Sequence, residues 1–213
     1  MIMEFSNSAG VEIVQNMIAA VKSNKEFLSE IDGEIGDGDH GINMNKGFSI
    51  VGEQLSECSD MSAAFALLSK TLLTKIGGSM GPLYGTIFSA MAKASADYEQ
   101  IDVKVVEVML SNALKSIEKI TTAKPGDKTL MDVLVPAQSA YSNAVSEGAD
   151  LKHALERMCE SANAGFESTK DMVAKIGRAS RLGERSKGVY DAGAASCKLL
   201  LVTMAKTMMQ LAK

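Results

Sequence analysis

Apolar residues at Val106, Met109, Leu110, Ala113, Leu114, Ile117 and Ile120 step by 3, 1, 3, 1, 3 and 3, which draws one stripe down an α-helix. Asp102 stands where the N-cap of that helix belongs. The same pattern follows Asp150 through Leu151, Ala154, Leu155, Met158, Cys159 and Ala162. Similar stripes occupy roughly 9–24, 42–57, 62–76, 82–98, 129–147 and 194–211. No run of alternating strand residues competes with them. The spacing therefore predicts an all-α chain of about eight helices. Fourteen methionines and no tryptophan suit helix-on-helix packing. Short connections make neighbouring helices antiparallel, in an up-and-down array.

The 213 residues suffice for one substantial domain, and no linker divides them, so a single domain over 1–213 is expected. A net charge of −4 without a basic stripe offers nothing to hold nucleic acid. The start MIMEFSNSAG lacks the basic and apolar regions of a secretory signal. No stretch approaches the roughly 18 uninterrupted apolar residues of a membrane span. Cys58, Cys159 and Cys197 are odd in number and far apart, and they read as inert thiols of a reducing compartment. These features predict a cytoplasmic protein.

Glycines concentrate at 33–41, 77–85, around 126 and at 177–193. In a helical chain these are inter-helix loops, and in an up-and-down array loops 33–41, 77–81, 121–128 and 177–193 fall at one end. The first reads EIGDGDHG. Gly36, Gly38 and Gly41 satisfy the dinucleotide pattern, yet no strand precedes them. As a calcium loop counted from Asp37 it fails, because Gly41 and Phe48 fill the fifth and twelfth positions. What survives is Asp32, Asp37 and Asp39 within one turn and a bend. Like charges this close need a cation between them, and hard oxygen ligands favour Mg²⁺ or Ca²⁺. An ordinary solvated acidic turn accounts for the same residues equally well.

The second loop, IGGSMGPLYG, precedes a helix with Pro82 placed at its first position, and its glycines leave amides open to an anion. The third, KPGDKT, opens another helix with Asp127 or Thr129 as cap. The fourth carries Arg178, Arg181, Arg185 and Lys187 and ends on Asp191-Ala-Gly193. Arginines beside a glycine-opened helix start suit phosphate. Taken alone, the second and third are also ordinary turns, whereas a connection as long as the fourth is usually functional. Together the four loops supply carboxylates, amides and guanidinium groups, the set that phosphoryl transfer requires.

Four blocks, IDGEIGDGDHGINMNKG from Ile31, GGSMGPLYGT from Gly77, KPGDKTLMD from Lys124 and GRASRLGERSKG from Gly177, strongly resemble the L subunit of dihydroxyacetone kinases. The resemblance spans the chain in order and at the family's spacing. It implies an eight-helix antiparallel barrel that binds ADP or ATP at one end, with Asp32, Asp37 and Asp39 holding two Mg²⁺ ions. By the same resemblance His40, Gly41, Ile42 and Asn43 line the nucleotide. Gly78, Ser79 and Met80 receive a phosphate on their amides, and Thr129 and Leu130 flank the nucleotide. Arg178 with Asp191, Ala192 and Gly193 completes the site, with Asp32, Asp37, Asp39, His40 and Arg178 as the catalytic set. Ala192 replaces a proline frequent in the family, and Leu130 a methionine. The family's sugar is held covalently by a histidine of a separate K-type subunit, and an M-type phosphohistidine subunit recharges the nucleotide in phosphotransferase-linked members. His153 falls mid-helix and reads as a surface residue. The implied protein is thus half of a phosphotransferase, with a K-type partner, an M-type donor or free ATP, and room for a homodimer. A non-catalytic nucleotide-binding adaptor, or a kinase subunit for another hydroxyketone, is the alternative.

Overall fold

The computed structural model describes residues 3–213, so the first two residues of MIMEFSNSAG lie outside it. Nine α-helices stand among the described residues: α1 Val11–Ser23, α2 Lys25–Ile35, α3 His40–Gln54, α4 Met61–Lys75, α5 Met80–Ser95, α6 Val103–Ile117, α7 Met131–Ser146, α8 Leu151–Ser168 and α9 Ala192–Leu211. Each packs on its neighbours in sequence, and α9 returns to α1, which closes a ring. Helices α1 and α2 follow end to end, broken at Asn24 (φ −109°), and act as one stave of eight. Helix α2 is the element that periodicity alone did not reveal. Its buried stripe is only Leu28, Ile31 and Ile35, beside Gly33 and four acids.

The inward faces fuse into one apolar core, with Phe65 stacked on Phe88 at 5.6 Å and Tyr84 beside it at 6.5 Å. Burial of such side chains, at about 25 cal/mol per Å², is what holds the staves together. One small strand pair departs from the helical expectation: β1 Phe5–Ser6 runs antiparallel to β2 Gln100–Ile101. It lies beside the α5–α6 connection, where the Asn7 side chain donates to Ser62 Oγ, Ser95 O and Tyr98 O. Two residues per strand are too few to leave an alternating pattern. No helix among the described residues is long and apolar enough to cross a membrane.

Up-and-down order sends the N-termini of α4, α6 and α8 to one end and those of α3, α5, α7 and α9 to the other. The first three are capped by carboxylates: Asp60 accepts the Ala63 amide, Asp102 those of Lys104 and Val105, and Asp150 that of His153. At the opposite end Asp39, Ser79 and Leu130, which precede α3, α5 and α7, lend no side-chain cap of their own, and only Asp191 before α9 does, accepting the Ala194 amide at 2.7 Å. The first amides of α3 and α7 go to Asp32 and Thr129 instead. Helix starts leave amides unsatisfied and carry partial positive charge. One end of the ring is therefore sealed, and the other is open to anions.

Candidate functional site

A cavity of about 630 Å³ occupies the open end. All four glycine-rich loops wall it: residues 36, 37 and 39 between α2 and α3, 77–79 before α5, 120, 121, 123 and 128–130 before α7, and 176–179 and 191 in the connection to α9. Asp32 comes from the last turn of α2, while Asp37 and Asp39 come from the turn that reverses the chain into α3. Gly38 makes that turn with φ +76°, a conformation open to glycine. One carboxylate oxygen from each of the three aspartates lies within 4.8 Å of the others. Asp32 also accepts the His40 amide at 3.3 Å, fixing it to the first turn of α3. Three hard, convergent oxygens fit a Mg²⁺ ion in donor type and charge.

Charge dominates here. Arg178 reaches across the cavity to pair with Asp37, and its guanidinium lies 3.9 Å from Asp39. Partial desolvation pushes the Asp37 carboxyl up, but the Arg178 charge and hydrogen bonds outweigh it and hold Asp37 below the usual carboxylate range. Desolvation and the neighbouring Asp37 carboxylate push Asp39 up instead. The pair thus presents an excess of negative charge that a single arginine does not neutralise.

His40 is positioned by a buried relay. Its Nε2 meets Ser196 Oγ at 2.9 Å, and Ser196 meets the Tyr84 hydroxyl at 2.6 Å. Ser196 and Tyr84 also donate to the Gly193 carbonyl. Burial lowers the His40 pKa against the pull of Asp32, so the ring is held toward its neutral form. Burial likewise raises the Tyr84 hydroxyl far above its ordinary value, keeping it a donor. Asp191 is pushed up to about 7, first by burial and then by the charges of Asp132 and Asp32, against its bond to the Ala194 amide and the charge of Lys128.

Most of the residues expected at the site line the cavity: Asp32, Asp37, Asp39, His40, Asn43, Gly78, Ser79, Met80, Thr129, Leu130, Arg178, Asp191, Ala192 and Gly193. Two stand elsewhere. Gly41 faces α2, where a Cβ would overlap the Lys25 carbonyl and Ser29, so its role is the close approach of α3 to α2. Ile42 is 53% exposed, outside the cavity wall. Pro82 sits at the third residue of α5 rather than the first, because the helix starts at Met80. In the KPGDKT turn, Thr129 Oγ accepts the Met131 amide and Asp127 serves the loop through the Lys124 amide. His153 is exposed on α8, paired with Asp150.

Residues 34–206 match the family model described as the DAK2 domain. The chain belongs to the DAK2 domain family. It is 37% identical over 185 residues to the "PEP-dependent dihydroxyacetone kinase, ADP-binding subunit DhaL" of Escherichia coli (strain K12), covering 86% of this chain and 88% of that subunit. The corresponding subunit of dihydroxyacetone kinase 1 of Listeria innocua is 39% identical over 189 residues, covering 88% and 89%. The fold also matches the dihydroxyacetone kinase of C. freundii, solved in complex with AMP-PNP and Mg²⁺, with a TM-score of 0.70 at 23% identity. That match covers 97% of this chain but 35% of the kinase, about a third of its length.

Several residues of this DAK2 domain shape the site without having been singled out from sequence. Asp132, almost fully buried, accepts the amides of Gly126 and Thr129 at 2.5 and 2.7 Å and so folds the third loop back on α7. Tyr84 and Ser196 orient His40, and Lys128 is wholly enclosed. Asp132 and Lys128 both stand inside the KPGDKTLMD block, which was the available signal. Tyr84 stands likewise inside the GGSMGPLYGT block, whereas Ser196 lies on a helix whose periodicity reads as ordinary core.

Proposed function

We propose that this DAK2 domain is the nucleotide-binding half of a dihydroxyacetone kinase, a cytoplasmic phosphotransferase subunit acting as one unit over residues 1–213. The observation that carries the reading is the convergence of the Asp32, Asp37 and Asp39 carboxylates opposite Arg178, at the end where the residues before three helix starts lend no side-chain cap. Asp32, Asp37 and Asp39 would hold Mg²⁺, two ions on this reading, whose charge would offset that of the nucleotide phosphates. The amides of Gly78, Ser79 and Met80 at the start of α5 take a phosphate, as uncapped helix N-termini do. His40, Asn43, Thr129 and Leu130 face the rest of the nucleotide, with the Asp191, Ala192 and Gly193 turn behind it. Gly41 and Ile42 contribute through the seating of α3. Arg178 supplies a positive charge to the phosphoryl group as negative charge shifts onto the leaving oxygen.

The acceptor is a triose or similar small ketose held by a K-type partner subunit at the open end. Neither histidine of this chain is free to hold a sugar inside the cavity, since His40 is engaged with Ser196 and His153 lies on the outer surface. Likeness to subunits named ADP-binding and PEP-dependent favours a resident ADP recharged by an M-type phosphohistidine subunit over consumption of free ATP. Asp37→Asn tests the assignment. Mg²⁺-dependent binding of ADP, measured by calorimetry, should weaken at least a hundredfold while helical circular dichroism is unchanged. Unchanged affinity would refute the metal role.

A further inference from the structure

Among the described residues, Lys128 is the one non-glycine residue with a left-handed backbone (φ 61°). Such a conformation costs of order 1–3 kcal/mol and persists where surrounding structure imposes it. The side chain is only 1% exposed. Its ammonium donates to three backbone carbonyls, Met172 at 3.1 Å, Ser186 at 2.6 Å and Val189 at 2.6 Å. An ammonium has three donors, and all three are used. A lysine in a nucleotide cavity invites the role of phosphate ligand, but this one has no donor left to give.

The three carbonyls share one property: they form the neck of the connection between α8 and α9. Met172 leads into it, and Ser186 and Val189 lead out. Ser186 reinforces the neck, accepting the Ala174 amide at 2.9 Å and donating to the Gly183 carbonyl at 2.6 Å. Beyond the neck the chain makes two short 3-10 turns hinged at Gly183 and presents Arg178 to Asp37 and Asp39. Arg178 is therefore aimed by a segment whose two ends meet at one buried charge.

We propose that Lys128 is the positioning residue of the Arg178 loop, clasping its neck so that the guanidinium stands over the carboxylates. Charge fits the task better than a neutral donor, because bonds from an ionised group to a carbonyl are roughly twice as strong as neutral ones. Burial lowers the Lys128 pKa, while Asp191 and Asp171 act against that loss. The left-handed backbone is held by these three bonds, which draw the side chain under the loop.

Lys128→Met keeps the aliphatic stem and removes the three donors. Three readouts decide the matter. Trypsin should nick the loop at Arg178, Arg181 or Arg185 at least tenfold faster in Lys128→Met than in the wild type, without nucleotide. The slowly exchanging guanidinium resonance of Arg178, assigned by its loss in Arg178→Ala, should vanish in Lys128→Met although Arg178 is present. Affinity for Mg–ADP should fall about tenfold or more in each single variant, and the double variant should bind no more weakly than the weaker single. Unchanged nicking with a retained Arg178 resonance, or losses that multiply in the double variant, would overturn the proposal. The binding arm rests on the nucleotide reading, and a wild type that does not bind Mg–ADP would sink that reading alone, because nicking and the resonance still test the clasp. Should Lys128→Met fail to fold, Lys128→Gln keeps a polar side chain but removes the charge and leaves two donors for three carbonyls; nicking at the wild-type rate in that variant would equally overturn the proposal.

Discussion

At the scale of single residues, the site is a balance of buried charge. Asp191 caps α9 from within the cavity wall and is pushed up to about 7. Folded Asp191 thus keeps its proton to about pH 7, whereas an unfolded aspartate loses it near pH 4. Between those values the folded chain holds the extra proton, so this residue's contribution to stability declines as pH rises. Asp191→Asn retains an oxygen for the Ala194 amide and cannot ionise. Thermal unfolding in EDTA should show the variant more stable than the wild type at pH 8, on the order of 1 kcal/mol after discounting for solvent screening. The two should converge near pH 4. A variant less stable at every pH would show that the cap matters more than the charge. The convergence of the acidic trio was legible in the sequence because its residues are local, although a solvated acidic turn accounted for them equally well. The Asp191 and Lys128 environments were not, because each is assembled from segments distant in sequence.

At the scale of elements, helix ends and close crossings decide where the loops stand. Asp102 holds two amides at the sealed end of α6, and Asp102→Ala should cost about 1 kcal/mol, with Mg–ADP affinity unchanged. A helix crossing behaves differently. Pro136 of α7 has no amide to offer the Asp132 carbonyl, and Gly165 of α8 packs so closely over it that a Cβ would overlap that oxygen. The same Asp132 folds the loop that carries Thr129. Gly165→Ala should therefore cost about 2 kcal/mol or more and also weaken Mg–ADP binding, which pairs a melting scan with a calorimetric titration. Loss of stability without loss of affinity would uncouple the crossing from the site. Most helices could be read from their stripes, since 15 or more residues repeat the period several times. Helix α2 could not, because three apolar positions in one short segment repeat it barely once. Helix starts were read about two residues late at α3, α5 and α9, since the polar and glycine residues that open them carry no apolar signal.

At the scale of the whole molecule, a closed ring with one sealed and one open end should behave as a receptor whose stability is linked to its ligand. Mg–ADP at a hundred times its dissociation constant adds about 2.7 kcal/mol, which for a chain of this size raises the melting temperature by roughly 5–10 °C. In EDTA the shift should fall to a small fraction of that, because the phosphates then meet three carboxylates that Arg178 alone does not neutralise. An equal shift with and without metal would assign the binding energy to the helix-start amides. The open end also limits what the ring can do by itself. It gathers carboxylates, amides and a guanidinium for phosphate, yet its one cavity histidine, His40, is engaged with Ser196 rather than free to hold a ketose. The purified chain loaded with Mg–ATP should therefore leave dihydroxyacetone unphosphorylated in a coupled assay, and activity should appear only when a K-type subunit is added. Turnover by the chain alone would mean that its own cavity holds both substrates, and the half-enzyme reading would fall.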